Sequence, residues 1–326
     1  MSVSYLDKMW RTHGSAALKS TFYSTAVRDR ERAARYLNDA DTSFPVLFIL
    51  MPELEKLGLY KELSARNLHA LRVCARKQQK LEAYLTHLSG EIGEDAAREY
   101  YHWMVETGIG WDGPSAGRDE FDEVIDRTAA LLIAAHSDDT LLVPIAELIF
   151  RRNRRGLFIH DLVWGFFQSA DAAALAVIAK YIRSKDDADT QLACELLGLN
   201  APEGESAKRE VFDSFSEWLG ENRPYLYLTG EHFQATSAPR PLGRDLEAKY
   251  LHREISPKDR APKTPLEEHE LKALEQFREA EREEQELLSA HSHKLHGKDK
   301  NAWGNWLGRH IAEQVMAARG DKGEMI

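Results

Sequence analysis

Helical periodicity, with almost no alternation of the strand type, is the feature that most limits how this chain can fold. Apolar residues recur every three or four positions through most of the first 222 residues, the spacing that gives an α-helix one apolar face. Val, Ile and Thr do not alternate with polar residues over any useful length, so β-strands are not expected. The sequence therefore predicts an all-α protein.

The predicted helical core covers residues 1–222 and has two parts. Residues 1–107 are predicted to form an irregular bundle, with helices over 15–38, 44–57, 60–88 and 94–107. Residues 118–222 are predicted to form antiparallel helix pairs, because the connections are only a few residues long. Five helices are predicted in the regular part of this segment, over 119–136, 139–153, 157–169, 171–184 and 187–199. Acidic residues at four of their starts are expected to cap them: Asp119, Asp139, Asp171 and Asp187.

Within this second part, two helix pairs resemble each other. Residues 139–169 align with 171–200 at an offset of roughly 32. The last helix has small residues at its middle and ends in Leu-Gly-Leu, and Pro144 is placed where a kink is expected. In these features residues 118–200 resemble HEAT-type helical repeats, which implies stacked helix pairs. The arginine that the family carries in its second helix is replaced here by Gln191.

The C-terminal third differs in composition from the core. Six of the eleven prolines lie between positions 224 and 265, so residues 223–264 are predicted to be an extended, irregular arm. The arm is also rich in Tyr and Leu, which solvated linkers lack. A charged helix is predicted over 265–290, and a polar linker with an amphipathic helix over 291–326. The polar stretch is Ser289–Lys300, which begins at the end of the charged helix, and the amphipathic helix is placed at about 301–318.

Charge and cysteine usage exclude some classes of protein. The chain has 53 acidic and 43 basic residues, a formal net charge of −10. This balance argues against general nucleic-acid binding, which needs an excess of cations. Nine acidic residues against three basic ones lie in the stretch 267–286 alone. The two cysteines, Cys74 and Cys194, are far apart and are expected to be buried free thiols. With no leader-like start and no apolar run near the length of a membrane span, we expect a cytoplasmic protein.

Two spacings suggest metal ligands without completing a site. Glu99-x-x-His102 has the spacing that places a carboxylate and an imidazole on one helix face of di-iron bundles. That chemistry needs a second such motif and two more glutamates. The second motif is absent, and no glutamate lies in an apolar stripe at a matching depth. His291, His293 and His296 could bind a transition metal through neutral imidazoles, but no cysteine or carboxylate completes the set nearby. No metal or cofactor is predicted; a polar pair and a solvated linker are the favoured interpretations.

A dense group of arginines follows a predicted helix. Arg151, Arg152, Arg154 and Arg155 could bind an anion, because the planar guanidinium matches phosphate oxygens. The favoured alternative is that they stabilise the helix C-terminus and pair with local acids.

The terminal helix carries the strongest interaction signal. One face is formed by Trp303, Trp306, Leu307, Ile311 and Val315. Helices with such anchors dock into apolar grooves, and Trp is enriched among binding hot spots. The alternative, docking on the protein's own core, is equally open at this point.

The sequence favours an α-helical scaffold or adaptor that binds other proteins, with the arm and the Trp-bearing helix as binding elements. The second hypothesis is an enzyme or a ligand-binding protein with a site in the cleft between 1–107 and 118–222. Four aromatic residues are candidates for its lining: Trp111, His136, His160 and Trp164. The absence of known catalytic motifs makes an enzyme the less favoured hypothesis. Self-association through 266–288 is a third hypothesis, although its apolar positions do not follow a heptad.

Overall fold

The computed structural model describes residues 3–77, 79–111, 118–169, 171–231, 236 and 239–323. The prediction of an all-α protein is confirmed: the described residues form seventeen α-helices and one two-stranded antiparallel sheet. None of these helices combines the length and the apolar character that crossing a membrane requires. The HEAT-like repeat is not confirmed.

The chain divides into two compact units. Unit 1 comprises Met1–Ile149 and Asp161–Ser169, and unit 2 comprises Phe150–His160 and Ala170–Ile326. The boundary therefore falls inside the segment for which a continuous helical core was predicted.

Unit 1 is built from helices alone among its described residues. They are α1 (Tyr5–Arg28), α2 (Arg30–Leu37), α3 (Phe44–Leu57), α4 (Ala65–Cys74), α5 (Gln79–Ser89), α6 (Glu94–Gly108), α7 (Arg118–His136), the first part of α8 (Leu142–Arg154) and nearly all of α9 (His160–Phe167). Short 3₁₀ turns lie at Leu59–Glu62, Ala75–Lys77 and Asp139–Leu141.

A buried carboxylate ties the starts of two helices of unit 1 together. Asp7 is 1% exposed and accepts hydrogen bonds from the Ser4 hydroxyl and from the backbone N–H and hydroxyl of Ser43. Ser4 caps α1, and Ser43 stands directly before α3. Because all of these donors satisfy the one carboxylate, its burial is not left uncompensated.

Unit 2 contains the end of α8, the remaining helices and the sheet. Its elements are α10 (Ala173–Ala179), α11 (Asp187–Leu197), α12 (Glu205–Asn222), β1 (Leu226–Leu228), β2 (Leu242–Arg244), α13 (Leu246–Tyr250), α14 (Glu268–Glu279), α15 (Arg282–Lys298), α16 (Lys300–Leu307) and α17 (Ile311–Gly323). Two 3₁₀ turns lie at Lys180–Arg183 and Arg223–Tyr225. The strands pair Leu226 with Arg244 and Leu228 with Leu242.

The last third of unit 2 has its own apolar core, here called the C-terminal core. It is formed by side chains from α13 through α17: Leu246, Tyr250, Leu251, Ala273, Leu274, Phe277, Leu288, Trp306, Leu307 and Val315. The rings of Tyr250 and Phe277 stack at its centre, with centroids 4.3 Å apart. The predicted arm, residues 223–264, thus contributes Leu246, Tyr250 and Leu251 to the C-terminal core.

Several predicted helix boundaries were wrong. The single helix predicted over 60–88 is divided into α4 and α5 by a 3₁₀ turn, and the charged helix ends at Glu279. The predicted linker Ser289–Lys300 is mostly α15, and the terminal helix is divided into α16 and α17. α3 continues through Pro52, and Pro144 lies in the first turn of α8, where proline is tolerated.

The continuation of α15 has a clear physical reason. Ser289 and Ser292 are buried, and Ser292 donates to the backbone carbonyl of Tyr250 while accepting from the Trp303 indole N–H at 2.7 Å. Ser292, which would be solvated in a linker, is satisfied here by partners from other elements, while the Ser289 hydroxyl donates to the Glu286 carbonyl of its own helix.

Candidate ligand-binding pocket

One face of α6 is almost entirely polar. It carries Asp95, Arg98, Glu99, His102 and Glu106, at spacings of three and four residues. The other side of the helix packs on α7, where Gly108 lies against Ile125; a Cβ at Gly108 would come within 2.4 Å of the Ile125 side chain. This close approach fixes which face of α6 points outward.

The polar face of α6 lines an open pocket of about 710 Å³. Trp103, Asp138 and Thr140 complete the lining. All of these residues belong to unit 1. The helix comes from the segment 1–107 and Asp138 from the segment 118–222, the two segments between which the sequence suggested a site.

Asp138 is held in place by the loop that follows α7. Ser137 has a φ of +50°, and the Asp138 N–H donates to the Leu132 carbonyl at 3.1 Å. The Asp138 carboxylate accepts hydrogen bonds from the backbone N–H and the hydroxyl of Thr140. Asp138 thereby caps the 3₁₀ turn before α8. Its second oxygen lies 3.4 Å from Arg98.

The Asp138 carboxyl group is ionised at neutral pH although it is only 3% exposed. Burial alone would raise its pKa, but the hydrogen bonds from Thr140 and the charges of His102 and Arg98 outweigh that effect and lower the pKa below its usual value. The carboxylate is thus a fixed negative charge in the wall of the pocket.

Trp103 forms a rigid aromatic side of the pocket. Its indole N–H donates to the Thr42 carbonyl at 3.1 Å, and its ring packs edge-on against Phe44. The Arg66 guanidinium lies over the ring, 4.2 Å from its centroid, which is a cation–π arrangement.

The charges of the lining are unbalanced. Four carboxylates, those of Asp95, Glu99, Glu106 and Asp138, face one arginine and one histidine. His102 Nδ1 lies 3.8 Å from a Glu106 oxygen. Glu99 and His102, the metal candidates from the sequence, therefore lie in this pocket. However, no group of three metal-ligating side chains with suitable placement occurs in the described ranges. The pocket suits an organic cation.

The histidines of the predicted linker belong to α15 and have different neighbours. His293 and His296 lie beside His252, which follows α13; we call these three residues the histidine cluster. The rings of His252 and His296 stack with centroids 3.5 Å apart, and those of His252 and His293 are nearly parallel at 5.5 Å. His291 instead packs against Trp306. The nitrogen lone pairs of stacked imidazoles lie in parallel planes and do not converge on one point, so the stacked rings are not arranged to bind one metal ion.

The Trp-bearing stripe lies against the same chain. Trp306, Leu307 and Val315 are buried in the C-terminal core, and Trp303 and Ile311 pack against it. This is the docking on the protein's own core that the sequence left open as the alternative.

The arginine group of α8 is committed to internal partners. Arg154 donates to both carboxylate oxygens of Asp189 at 2.8 Å and lies near Asp186. Arg152 is 3% exposed, and Arg151, Arg152 and Arg155 also interact within the chain. The contacts of Arg154 are pairs with local acids.

Three of the four candidates for the cleft lining have separate aromatic neighbours. Trp111 packs edge-on against Phe121, and His136 lies near Tyr101. His160 lies beside Phe158, and Trp164 is 39% exposed.

Sequence reasoning missed the pocket residues outside the Glu99–His102 motif, and it missed His252. The charged spacing along α6 was a usable signal for Asp95, Arg98 and Glu106. Asp138 carried a weaker one: an Asp-Asp pair marked the helix start, but Asp139 was chosen as the cap. Comparisons with known protein families, with curated proteins and with solved structures found no match to this chain.

Proposed function

We propose that this protein is an α-helical adaptor that binds a basic segment of a partner protein, with the α6 pocket as the recognition site. The observation that carries the proposal is the imbalance of charge in the pocket: four carboxylates surround an open cavity with one arginine. An arginine or lysine side chain from a partner would supply the missing positive charge.

The fixed position of Asp138 supports this proposal. The carboxylate is nearly buried, ionised and already held by Thr140, so a bound cation would meet a preorganised partner. Arg98, 50% exposed at its side chain, pairs with Asp138 and would be displaced or shared by an incoming guanidinium.

The openness and polarity of the pocket favour a polypeptide over a small molecule. Sites for small organic ligands are mostly apolar and enclose the ligand, whereas five of the eight side chains lining this pocket are charged. A side chain presented by a larger partner needs no enclosure, since the rest of the partner lies on the surrounding surface. Both cysteines are free, which fits a cytoplasmic setting for such a complex.

The test is binding of a fluorescein-labelled, eight-residue Arg/Lys-rich peptide, measured by fluorescence anisotropy on the full chain. Each exposed carboxylate paired with the ligand contributes about 0.5–1 kcal/mol, so Glu99→Gln with Glu106→Gln should weaken binding about five- to thirtyfold. The matched control, Glu91→Gln with Glu94→Gln, changes the net charge equally just before and at the start of α6, outside the lining, and should change the affinity less than twofold.

Two results would contradict the proposal. Equal weakening by the pocket and control variants would show that the peptide responds only to the overall negative charge. Spermidine competing at the same concentration as the peptide would identify a small polyamine, and not a protein segment, as the ligand.

A further inference from the structure

The histidine cluster joins three parts of unit 2. His252 follows α13, His293 and His296 lie on α15, and the Trp303 ring of α16 packs edge-on against His296 at 5.0 Å. The hydroxyl of Tyr225, from the 3₁₀ turn after α12, lies 3.4 Å from His293 Nδ1. The cluster is thus one polar contact among the end of α13, α15 and α16.

His252 has a demanding backbone conformation. Its φ is +52°, in the left-handed region that non-glycine residues seldom adopt. Its N–H donates to the Lys249 carbonyl, and the next N–H, that of Arg253, donates to the Ala248 carbonyl. This hydrogen-bonded end of α13 aims the imidazole of His252 at α15.

Charged groups of both signs surround the cluster. Lys249 on α13, Arg253 after it and Lys300 on α16 act on the three rings as cations, while Glu221 on α12 and Glu254 act as anions. Lys249 is itself 3% exposed and donates to Asn222 at 2.7 Å, with Glu221 at 3.8 Å. Arg253 is paired with Glu270 on α14 at 2.8 Å and lies 4.0 Å from Glu267.

Protonation of the cluster is unfavourable in this setting. Burial is the largest effect lowering the pKa of all three imidazoles below the ordinary value, and the neighbouring cations and the rings themselves add to it. Neutral imidazoles stack without repulsion, but two protonated rings at 3.5 Å repel each other strongly.

We propose that the histidine cluster is a proton-sensitive latch: neutral rings hold α15 and α16 against the end of α13, and protonation releases that contact. Release exposes Trp303, which packs against the cluster at the edge of the C-terminal core. The latch lies in unit 2 and is independent of the pocket in unit 1.

The sign of the pH dependence follows from the lowered pKa of each ring. The open state takes up protons with the ordinary histidine pKa near 6.5, while the closed state resists them. The closed state is therefore favoured fully above that pH and loses stability as the pH falls below it, until the rings of the closed state also become protonated.

The first experiment measures hydrogen–deuterium exchange of the full chain by mass spectrometry at pH 7.5 and 5.5. Protection factors, corrected for intrinsic exchange, are compared for peptides from α15 and α16. For each extra proton bound by the open state, protection should fall about tenfold between these two pH values, because the open-state pKa lies near 6.5. His252→Gln with His296→Gln should remove most of this fall, whereas the control His269→Gln, at an exposed side chain of α14, should leave it unchanged.

The second experiment needs no variant. The imidazole Cε1–Hε1 signals of the wild-type protein are followed by NMR between pH 8 and 5. The cluster should titrate below the ordinary imidazole value near 6.5. Titration at or above that value, or an equal loss of protection in wild type and the double variant, would overturn the proposal.

Discussion

The hydroxyl of Tyr250 donates a hydrogen bond to Oε1 of Gln314, at 2.8 Å and across 64 residues of sequence. The Gln314 amide in turn donates to the carbonyls of Leu307 and Arg309. Gln314 is 1% exposed, so one side chain satisfies the end of α16 and fastens α17 to α13. This arrangement explains why the tail docks on its own chain.

Gln314→Leu should destabilise unit 2. The change leaves the Tyr250 hydroxyl and two carbonyls without buried partners, and each unsatisfied group costs about 1–3 kcal/mol. We expect a loss of about 3 kcal/mol, measured by urea denaturation. Tyr250→Phe removes one side of the same bond and should cost about 1 kcal/mol. A loss for Gln314→Leu no greater than that for Tyr250→Phe would contradict the bridging role of the amide.

His69 should make unit 1 sensitive to acid. The side chain is 1% exposed, and neither ring nitrogen has a hydrogen-bond partner among the residues that the structure describes. Burial, aided by Arg72, lowers its pKa from 6.5 to about 4. The unfolded chain therefore binds a proton first as the pH falls below 6.5. The free energy of unfolding should decrease by roughly 3 kcal/mol between pH 6.5 and pH 4.

His69→Leu tests that expectation because it removes both the titration and the unpaired nitrogens. The variant should be at least as stable as wild type at pH 7 and more stable at pH 4.5, in urea titrations followed by circular dichroism. The same substitution at exposed His13, also in unit 1, provides the control. Parallel pH profiles for wild type and His69→Leu would exclude His69 as the source of acid sensitivity.

Two helical glycines should respond oppositely to alanine. A Cβ at Gly165 on α9 would lie 2.8 Å from the Cβ and 3.0 Å from the Cα of Ala130 on α7, whereas one at Gly220 on α12 would meet nothing within 4 Å. Gly165→Ala should destabilise by about 2 kcal/mol, since backbone must move. Gly220→Ala should stabilise by about 0.5–1 kcal/mol through helix propensity. Thermal denaturation of both variants checks the signs; stabilisation by Gly165→Ala would refute the close α7–α9 packing.

Local periodicity was sufficient for elements whose polar residues face solvent. α6 was predicted over 94–107 and is observed at Glu94–Gly108, because its apolar positions meet α7 and its charges point outward. The Glu99–His102 motif was found for the same reason. The periodicity of α6 and the Glu99–His102 motif both depend only on residues that are close to one another in the sequence.

Periodicity failed where distant partners satisfy polar side chains. The local sequence around Ser292 is typical of a linker. The acceptor of its hydroxyl, the Tyr250 carbonyl, lies 42 positions earlier in the chain. His252 gives no sequence signal at all, because a glycine or asparagine would be expected at a left-handed position. Asp138 enters the pocket through a loop whose course depends on α7 and not on the local pattern.

The ion pair of Arg154 and Asp189 supplies the last prediction. The Asp189 side chain is 4% exposed and also accepts from the Ser184 hydroxyl, so removing the guanidinium leaves a nearly buried charge. Arg154→Met keeps the apolar stem and should cost about 2 kcal/mol. Asp189→Asn introduced into that variant should recover part of the loss, giving a coupling energy of about 1–2 kcal/mol in a double-mutant cycle. Inorganic phosphate should raise the melting temperature of wild type and Arg154→Met equally, because the internal carboxylate already holds the guanidinium; a rise confined to wild type would instead assign Arg154 to an anion site.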